Sequence, residues 1–390
     1  MSGWKWLSDP TTPYTWRFAR NVVIKALILF ALVNVAFALL DPLPVLGRLS
    51  LYNRIVPGRP RLPYGENPDR SYNLSLQNLD ALFAAHEIDG LQDHHDEYRV
   101  LLIGDSSVWG VLLAPEETLA GHLNAAALHT ADGRRVRAFD LGYPVQSLLK
   151  DLLILDRALR YRPDLVIWLI TPESFAPDQQ LEPLLVRENP GPVRELIARY
   201  GLHIDPTSPR FAAPDFSAQT LIGRRRPLAD LLRLQLYGLT WSITGHDQTY
   251  PRFFEPRMED FGPDLAWHGF APGHLTPDGL AFDVLQAGVR LATESDPPAP
   301  VLIINEPIFR SDGINSDVRY NYFYPRWLFD AFRDWMADRA AGEGWAYLDL
   351  WDVISPSEFT DSAVHLTPDG SRALAVHVGE ALLRMAERAP

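Results

Sequence analysis

Five short, mainly apolar runs constrain this chain most: 99–104 (RVLLIG), 135–141 (RVRAFDL), 164–170 (DLVIWLI), 300–305 (PVLIIN) and 345–350 (WAYLDL). Runs that are apolar throughout, rather than at alternate positions, suit strands buried on both faces of a parallel sheet. Helical patterns separate them at 116–130, 147–160 (SLLKDLLILDRALR) and 324–341, and a last helix starts at Thr367-Pro368, a capping threonine followed by proline. The alternation predicts an α/β fold, an open and doubly wound sheet of five parallel strands. The stretch 177–296 interrupts it. It is rich in Pro, Arg and aromatic residues, with helices expected at 228–244 and from Thr276-Pro277, and its length predicts a helical insertion acting as a lid or a partner-docking surface.

A second constraint lies at the N-terminus, where residues 21–40 read NVVIKALILFALVNVAFALL. Twenty residues at 1.5 Å rise span about 30 Å, the thickness of a bilayer core. Lys5, Arg17, Arg20 and Lys25 lie before or early in the run and Asp41 follows it. The bias of basic residues predicts a cytoplasmic segment 1–20, a transmembrane helix 21–40 and a body on the periplasmic side of the inner membrane. Two readings compete: cleavage after Ala36-Phe37-Ala38, a small-x-small signal-peptidase pattern, and a buried core helix. Residues 41–66 hold Pro42, Pro44, Pro57, Pro60 and Pro63, which predicts an extended tether leading to a body at 67–390.

The net charge of −13 argues against a nucleic-acid partner, since phosphate binding needs a basic face. The one basic run, Arg224-Arg225-Arg226, reads as a solvated loop. With no cysteine, thiolate catalysis, disulfides and cysteine-ligated metals are excluded. His94-His95-Asp96 reads as a polar loop rather than a metal site, and no metal or organic cofactor is implied.

The first strand leads into Gly104-Asp105-Ser106-Ser107, beyond the carboxyl end of a parallel strand, where doubly wound sheets hold their ligands. Ser106 also approaches a helix start, whose free N–H groups can stabilise an oxyanion. After the last strand comes 361–365 (DSAVH), with a histidine to take a serine proton and an aspartate to orient it. Each element alone fits a cap or a surface loop; both lie at strand ends of one sheet, where they can converge. The hexapeptide HLTPDG occurs at 274–279 and again at 365–370. Thr-Pro-Asp is a helix-start signal in both copies. No acid precedes His274 closely, so it is the secondary candidate base.

In these blocks (GDSS at 104–107, DLGYP at 140–144 and the Asp–His pair near the C-terminus) the chain resembles the SGNH/GDSL hydrolase superfamily over about 100–380, the insertion excepted. The resemblance implies a flavodoxin-like three-layer fold and ester chemistry. By position, Ser106 would be the nucleophile, His365 the base and Asp361 its orienting acid, with the N–H groups of Ser106 and Gly142 in the oxyanion hole. The chain departs from the family in three places. Asp361 precedes His365 by four residues instead of three, Asp140 stands where Asn is frequent, and the third block reads Thr171-Pro172-Glu173-Ser174 without the usual asparagine donor. Glutamate there would repel an oxyanion unless neutralised or turned away. Asn305, ending the next strand, is the substitute donor; its other reading is a structural turn residue.

The resemblance implies an extracytoplasmic serine esterase or O-acyltransferase working on acyl, chiefly acetyl, esters of a cell-surface glycan, with a multipass membrane O-acyltransferase as possible partner. Residues 309–324 (FRSDGINSDVRYNYFY) suit sugar stacking and lid packing equally. The alternative is a non-catalytic scaffold or glycan-binding subunit of a polysaccharide-modifying complex.

Overall fold

The computed structural model describes residues 15–47, 51–64, 78–90, 96–211, 215–244 and 253–388. Lys5, most of the expected cytoplasmic segment, and His94-His95 lie outside these residues. The chain divides into two compact units, residues 1–46 with 213–232, and residues 47–212 with 233–390.

The smaller unit is built on helix α1 (Trp16–Leu40), capped by Thr15, whose hydroxyl accepts from the Phe18 N–H at 3.2 Å. It is long and apolar enough to cross a membrane, by length and composition, and most of its side chains are exposed; Asn34 and Ala38 are buried.

The larger unit is the expected parallel sheet. Its strands are β1 (Glu97–Ile103), β2 (Arg135–Asp140), β3 (Leu165–Ile170), β4 (Val301–Asn305) and β5 (Ala346–Asp349). They are ordered β2-β1-β3-β4-β5, every pair parallel. That order is the flavodoxin-like winding, which switches direction beside β1 and opens a crevice at the carboxyl ends there. Alternate strand residues divide between two cores, as strand periodicity requires. On one face Leu101, Ile103, Val166, Trp168 and Ile303 pack with helices α2 (Leu148–Ala158), α3 (Pro190–Tyr200), α5 (Phe282–Thr293) and α6 (Arg326–Glu343). On the other, Val100, Leu102, Ile167 and Ile304 pack with Leu119–Ala125 and the C-terminal α7 (Pro368–Arg388).

Two expectations about organisation change. The stretch 177–296 is largely a layer of the body, because Leu185, Val193, Ile197, Leu202 and the inner face of α5 are buried in the first core. Within it Thr276-Pro277 opens a single 3₁₀ turn, with α5 starting only at Phe282, while helix α4 covers Arg225–Thr244. The segment expected as an extended tether contains short helices at Leu43–Gly47 and Leu51–Ile55, and its last part is docked. Arg59 and Arg61 form bridges with His86 and Asp140, extending the β2 edge. The buried Arg61 guanidinium donates to the carbonyls of Gly110 and Leu113 at 3.0 Å each and lies over the Trp109 ring, whose Nε1 donates to Leu62 O at 2.8 Å. A planar fork that satisfies several carbonyls at once explains why a proline-rich segment stays put.

Candidate active site

β1 ends at a turn that admits only glycine at 104: a Cβ there would fall 2.6 Å from Val108 Cγ2 and 3.2 Å from Leu169 O. The chain then enters the short helix Ser106–Trp109, capped by Asp105, whose Oδ1 accepts from the Ser107 N–H at 2.7 Å. This presents Ser106 at the first helical position, and its N–H has no acceptor among the described residues. The neighbouring Ser107 hydroxyl turns inward to the buried carboxyl of Glu306. Burial, with Asp105 beside it, pushes the Glu306 carboxyl well above the usual range.

Beneath the turn, a buried cation joins two loops. Lys150 Nζ donates to Gly104 O at 2.8 Å and to Tyr143 O at 2.5 Å, and pairs with Asp151 at 2.7 Å. The other Asp151 oxygen accepts from Trp168 Nε1 at 3.1 Å. Burial still pushes Asp151 up, to about 6. Lysine rather than leucine at this core position of α2 gives both carbonyls a donor, adding to the Tyr143 N–H that Gly104 O already accepts at 3.1 Å.

The sequence-predicted residues Ser106, His365 and Asp361 are brought together. His365 Nε2 lies 2.8 Å from Ser106 Oγ, and His365 Nδ1 lies 2.8 Å from Asp361 Oδ1. The four-residue spacing is absorbed by a small hairpin: Phe359 and Leu366 form an antiparallel bridge, and the Thr360 N–H donates to His365 O at 2.9 Å. Arg257 clasps the hairpin by donating to the carbonyls of Phe359 and Pro356. Burial opposes ionisation of Asp361, but the bond to His365 and its charge outweigh it and hold the carboxyl below its ordinary value. Hydroxyl, imidazole and carboxylate thus stand in the relation that activates a serine.

Two expected oxyanion donors are otherwise engaged. Asn305 is fully buried, and its Nδ2 donates to Asp349 Oδ1 at 2.8 Å, so its amide serves the β4–β5 junction. The Gly142 N–H donates to Asp140 Oδ1 at 3.0 Å. Glycine is needed at 142 for packing, since a Cβ would fall 2.3 Å from Trp109 N. The Asp140 carboxyl is buried and pushed up to about 8 by desolvation, against the pull of Arg61.

Glu173 faces the site as its position in the third block implied, and a residue that sequence reading missed answers its charge. Its Oε1 lies 2.7 Å from His268 Nε2 and its Oε2 accepts from Trp267 Nε1 at 3.2 Å. His268 Nδ1 meets Asp178 at 3.0 Å. The bond to Glu173, outweighing burial, raises His268 to about 9, so at neutral pH it is a cation paired with Glu173. No motif surrounds His268; an isolated histidine 95 residues from its partner gives no local signal.

The array opens into a cleft of about 320 Å³ lined by Ser106, Gln146, Glu173, Gln179, Phe323 and Ser362, with Val145, Val364 and His365 completing the wall. Val145 has a φ of 73°, a left-handed conformation that costs a β-branched residue about 1–3 kcal/mol and concentrates at ligand sites. Of the aromatics in 309–324, Phe323 lines this cleft and Tyr322 makes a side-chain hydrogen bond to its wall residue Ser362. Tyr320 and Tyr324 are buried, the latter donating to Thr171 Oγ1 at 2.8 Å. His274 is exposed and, among the described residues, its ring bonds only to Pro272 O.

No family model and no curated protein matches the chain. Among solved structures, similarity is found to a carbohydrate acetylesterase family member from Sinorhizobium meliloti, at 14% identity over 74% of this chain and 98% of that one, with a TM-score of 0.36. A second carbohydrate acetylesterase from that organism gives 12% identity over 74% and 99%, with a TM-score of 0.35. An aryl esterase from M. smegmatis gives 15% over 73% and 97%, with a TM-score of 0.33. The chain's own features define its class: a flavodoxin-like α/β body carrying a Ser–His–Asp array at its strand ends. In strand order and in the sequence of its blocks, that body is similar to the SGNH/GDSL hydrolases.

Proposed function

We propose that the chain is a membrane-anchored serine esterase or O-acyltransferase that works outside the cytoplasm on acetyl-sized esters of a cell-surface glycan. The observation that carries this reading is the continuous hydrogen-bonded line from Ser106 Oγ through His365 to Asp361 at the wall of an open cleft. In the reaction, Ser106 Oγ attacks the ester carbonyl while His365 takes its proton, and Asp361 steadies the imidazolium. The Ser106 N–H receives the developing oxyanion. His365 returns the proton to the leaving hydroxyl, and an acyl-serine remains. Water or a sugar hydroxyl, deprotonated by His365, then releases the acyl group. Gln146, Gln179, Ser362 and Glu173 supply the polar contacts a glycan needs, and the small side chains of Val145 and Val364 suit a short acyl group. Helix α1 supports anchoring, and its basic N-terminal flank supports a body on the far side.

One observation favours a second reading. With Gly142 bonded to Asp140 and Asn305 to Asp349, the Ser106 N–H is the one of the three expected oxyanion donors left without an acceptor among the described residues. A scaffold or glycan-binding subunit, or an enzyme completed by a membrane O-acyltransferase, would have such a site. The two are separated by treating the full-length chain in detergent with a fluorophosphonate and mapping the adduct by peptide mass spectrometry. A Ser106 adduct that disappears in His365→Ala supports the enzyme. A folded protein that takes up no label supports the scaffold or the partner-completed site.

A further inference from the structure

The smaller unit holds an arrangement the proposed chemistry does not use. Asn34 is buried on α1, in the stretch 26–40 that is otherwise apolar. Its Nδ2 donates to Phe30 O at 2.9 Å, which satisfies that end within the helix. Its Oδ1 accepts from the backbone N–H of Ile222 at 3.2 Å, 188 residues away in sequence. Asn34 lies six residues before Leu40, so about 9 Å from that end of the helix at 1.5 Å per residue. If α1 spans a bilayer, the backbone at 222 lies alongside it, below the headgroups on the side of Leu40.

Hydrocarbon tolerates non-helical backbone only where its polar groups are satisfied. In the segment 215–225 most N–H groups find acceptors. The Ala218 N–H donates to Asp215 Oδ1, the Gln219 N–H to Asp215 O and the Thr220 N–H to Ser217 O. The Gly223 N–H donates to Thr220 Oγ1, the Arg224 N–H to Thr220 O and the Arg225 N–H to Ile222 O. The turn is closed tightly, since a Cβ on Gly223 would fall 2.5 Å from Ser217 O. Among the side chains it leaves outside, next to the exposed Asp215 and Ser217 at its start, Phe216, Ile222 and Leu232 are each at least half exposed. Arg224-Arg225-Arg226 follow directly, and a short basic run beside exposed apolar residues complements anionic lipid headgroups.

We infer that residues 215–232 form a membrane-inserted wedge held against α1 by Asn34, with the lipid of the adjacent leaflet covering Phe216, Ile222 and Leu232. The inference rests on the reading of α1 as a membrane span. It assigns the basic run, whose Arg225 also donates to Ile222 O at 2.8 Å, to lipid headgroups, and Asn34 to a backbone it must satisfy.

The absence of cysteine makes the test direct. Full-length Ile222→Cys and, separately, Phe216→Cys are labelled with an environment-sensitive NBD fluorophore. They are reconstituted in phosphatidylcholine–phosphatidylglycerol vesicles containing lipids with a nitroxide on the acyl chain. Leu32→Cys, on the exposed face of α1, reports the span itself. The expected result is that labels at 32, 216 and 222 all lose most of their emission to the nitroxide lipid and little to aqueous iodide. Adding Asn34→Leu should shift the 222 label toward iodide. Quenching at 32 by lipid, with 216 and 222 quenched only by iodide, would overturn the wedge and leave the anchor standing. Shielding of 216 and 222 from both quenchers would overturn it in favour of a protein contact. Failure of lipid to quench position 32 would remove the anchor, and the wedge with it. Two label sites keep the outcome readable if one variant misfolds.

Discussion

The chain writes the same six residues, HLTPDG, at 274–279 and at 365–370, and the two copies fold and behave differently. In the second, Thr367 accepts from the Gly370 N–H at 3.1 Å and opens the 21-residue α7. In the first, Thr276 makes no such bond and the turn ends after Pro277–Gly279. His365 lies in a hairpin closed by Thr360 and faces both Asp361 and Ser106; His274 is exposed, with one carbonyl for company. Local chemistry therefore specifies a turn in both places. Whether a helix follows, and whether the histidine can take a proton, depends on what the larger unit packs against it.

The comparison breaks most sharply at the histidines. His365→Ala should reduce hydrolysis of a p-nitrophenyl acetate reporter by on the order of 10⁴-fold or more, as removal of a triad base does elsewhere. His274→Ala should leave the rate within about twofold, since it touches nothing that acts. Equal losses in the two variants would sink the assignment.

A smaller effect separates His365 from a third histidine, His268. Its raised value of about 9 means that its pairing with Glu173 is fully present below the ordinary histidine range and is lost as pH rises through about 9. Activity should decline across that window in the native protein. In His268→Gln it should already be about tenfold lower at pH 7, with the alkaline decline abolished, because the Glu173 carboxylate then faces the cleft without its cation. An unchanged alkaline limb in that variant would show that another group titrates there.

The finest test concerns the caps. Thr367→Ala should lower stability by about 1 kcal/mol in urea unfolding, the usual effect of losing an N-cap bond. Thr276→Ala should fall within about 0.5 kcal/mol of the native protein. If both cost the same, the capping difference between the copies has no energetic weight.

How much of this was legible follows the same division. The strands were readable because burial on both faces leaves a continuous apolar run, and Ser106, His365 and Asp361 because strand ends are marked by glycine and by short spacing. Lys150 read as one more charge on an amphipathic helix, although it is fully buried. Arg61 was hidden in a proline-rich stretch, and Asn305 was offered to the cleft when the register of β4 against β5 gives its amide to Asp349. The acidic partner of His268 was in plain view, but only tertiary packing joins the two. Each of these depends on partners distant in sequence, where periodicity and capping carry no information.

The single ammonium of Lys150 that holds both Gly104 O and Tyr143 O gives the site a mechanical property. The two loops cannot loosen one at a time, because releasing either carbonyl leaves a charge without its full complement inside the protein. They constitute one opening unit, and the backbone amides of both should exchange with solvent deuterium at a common rate, set by a single excursion that unseats the lysine.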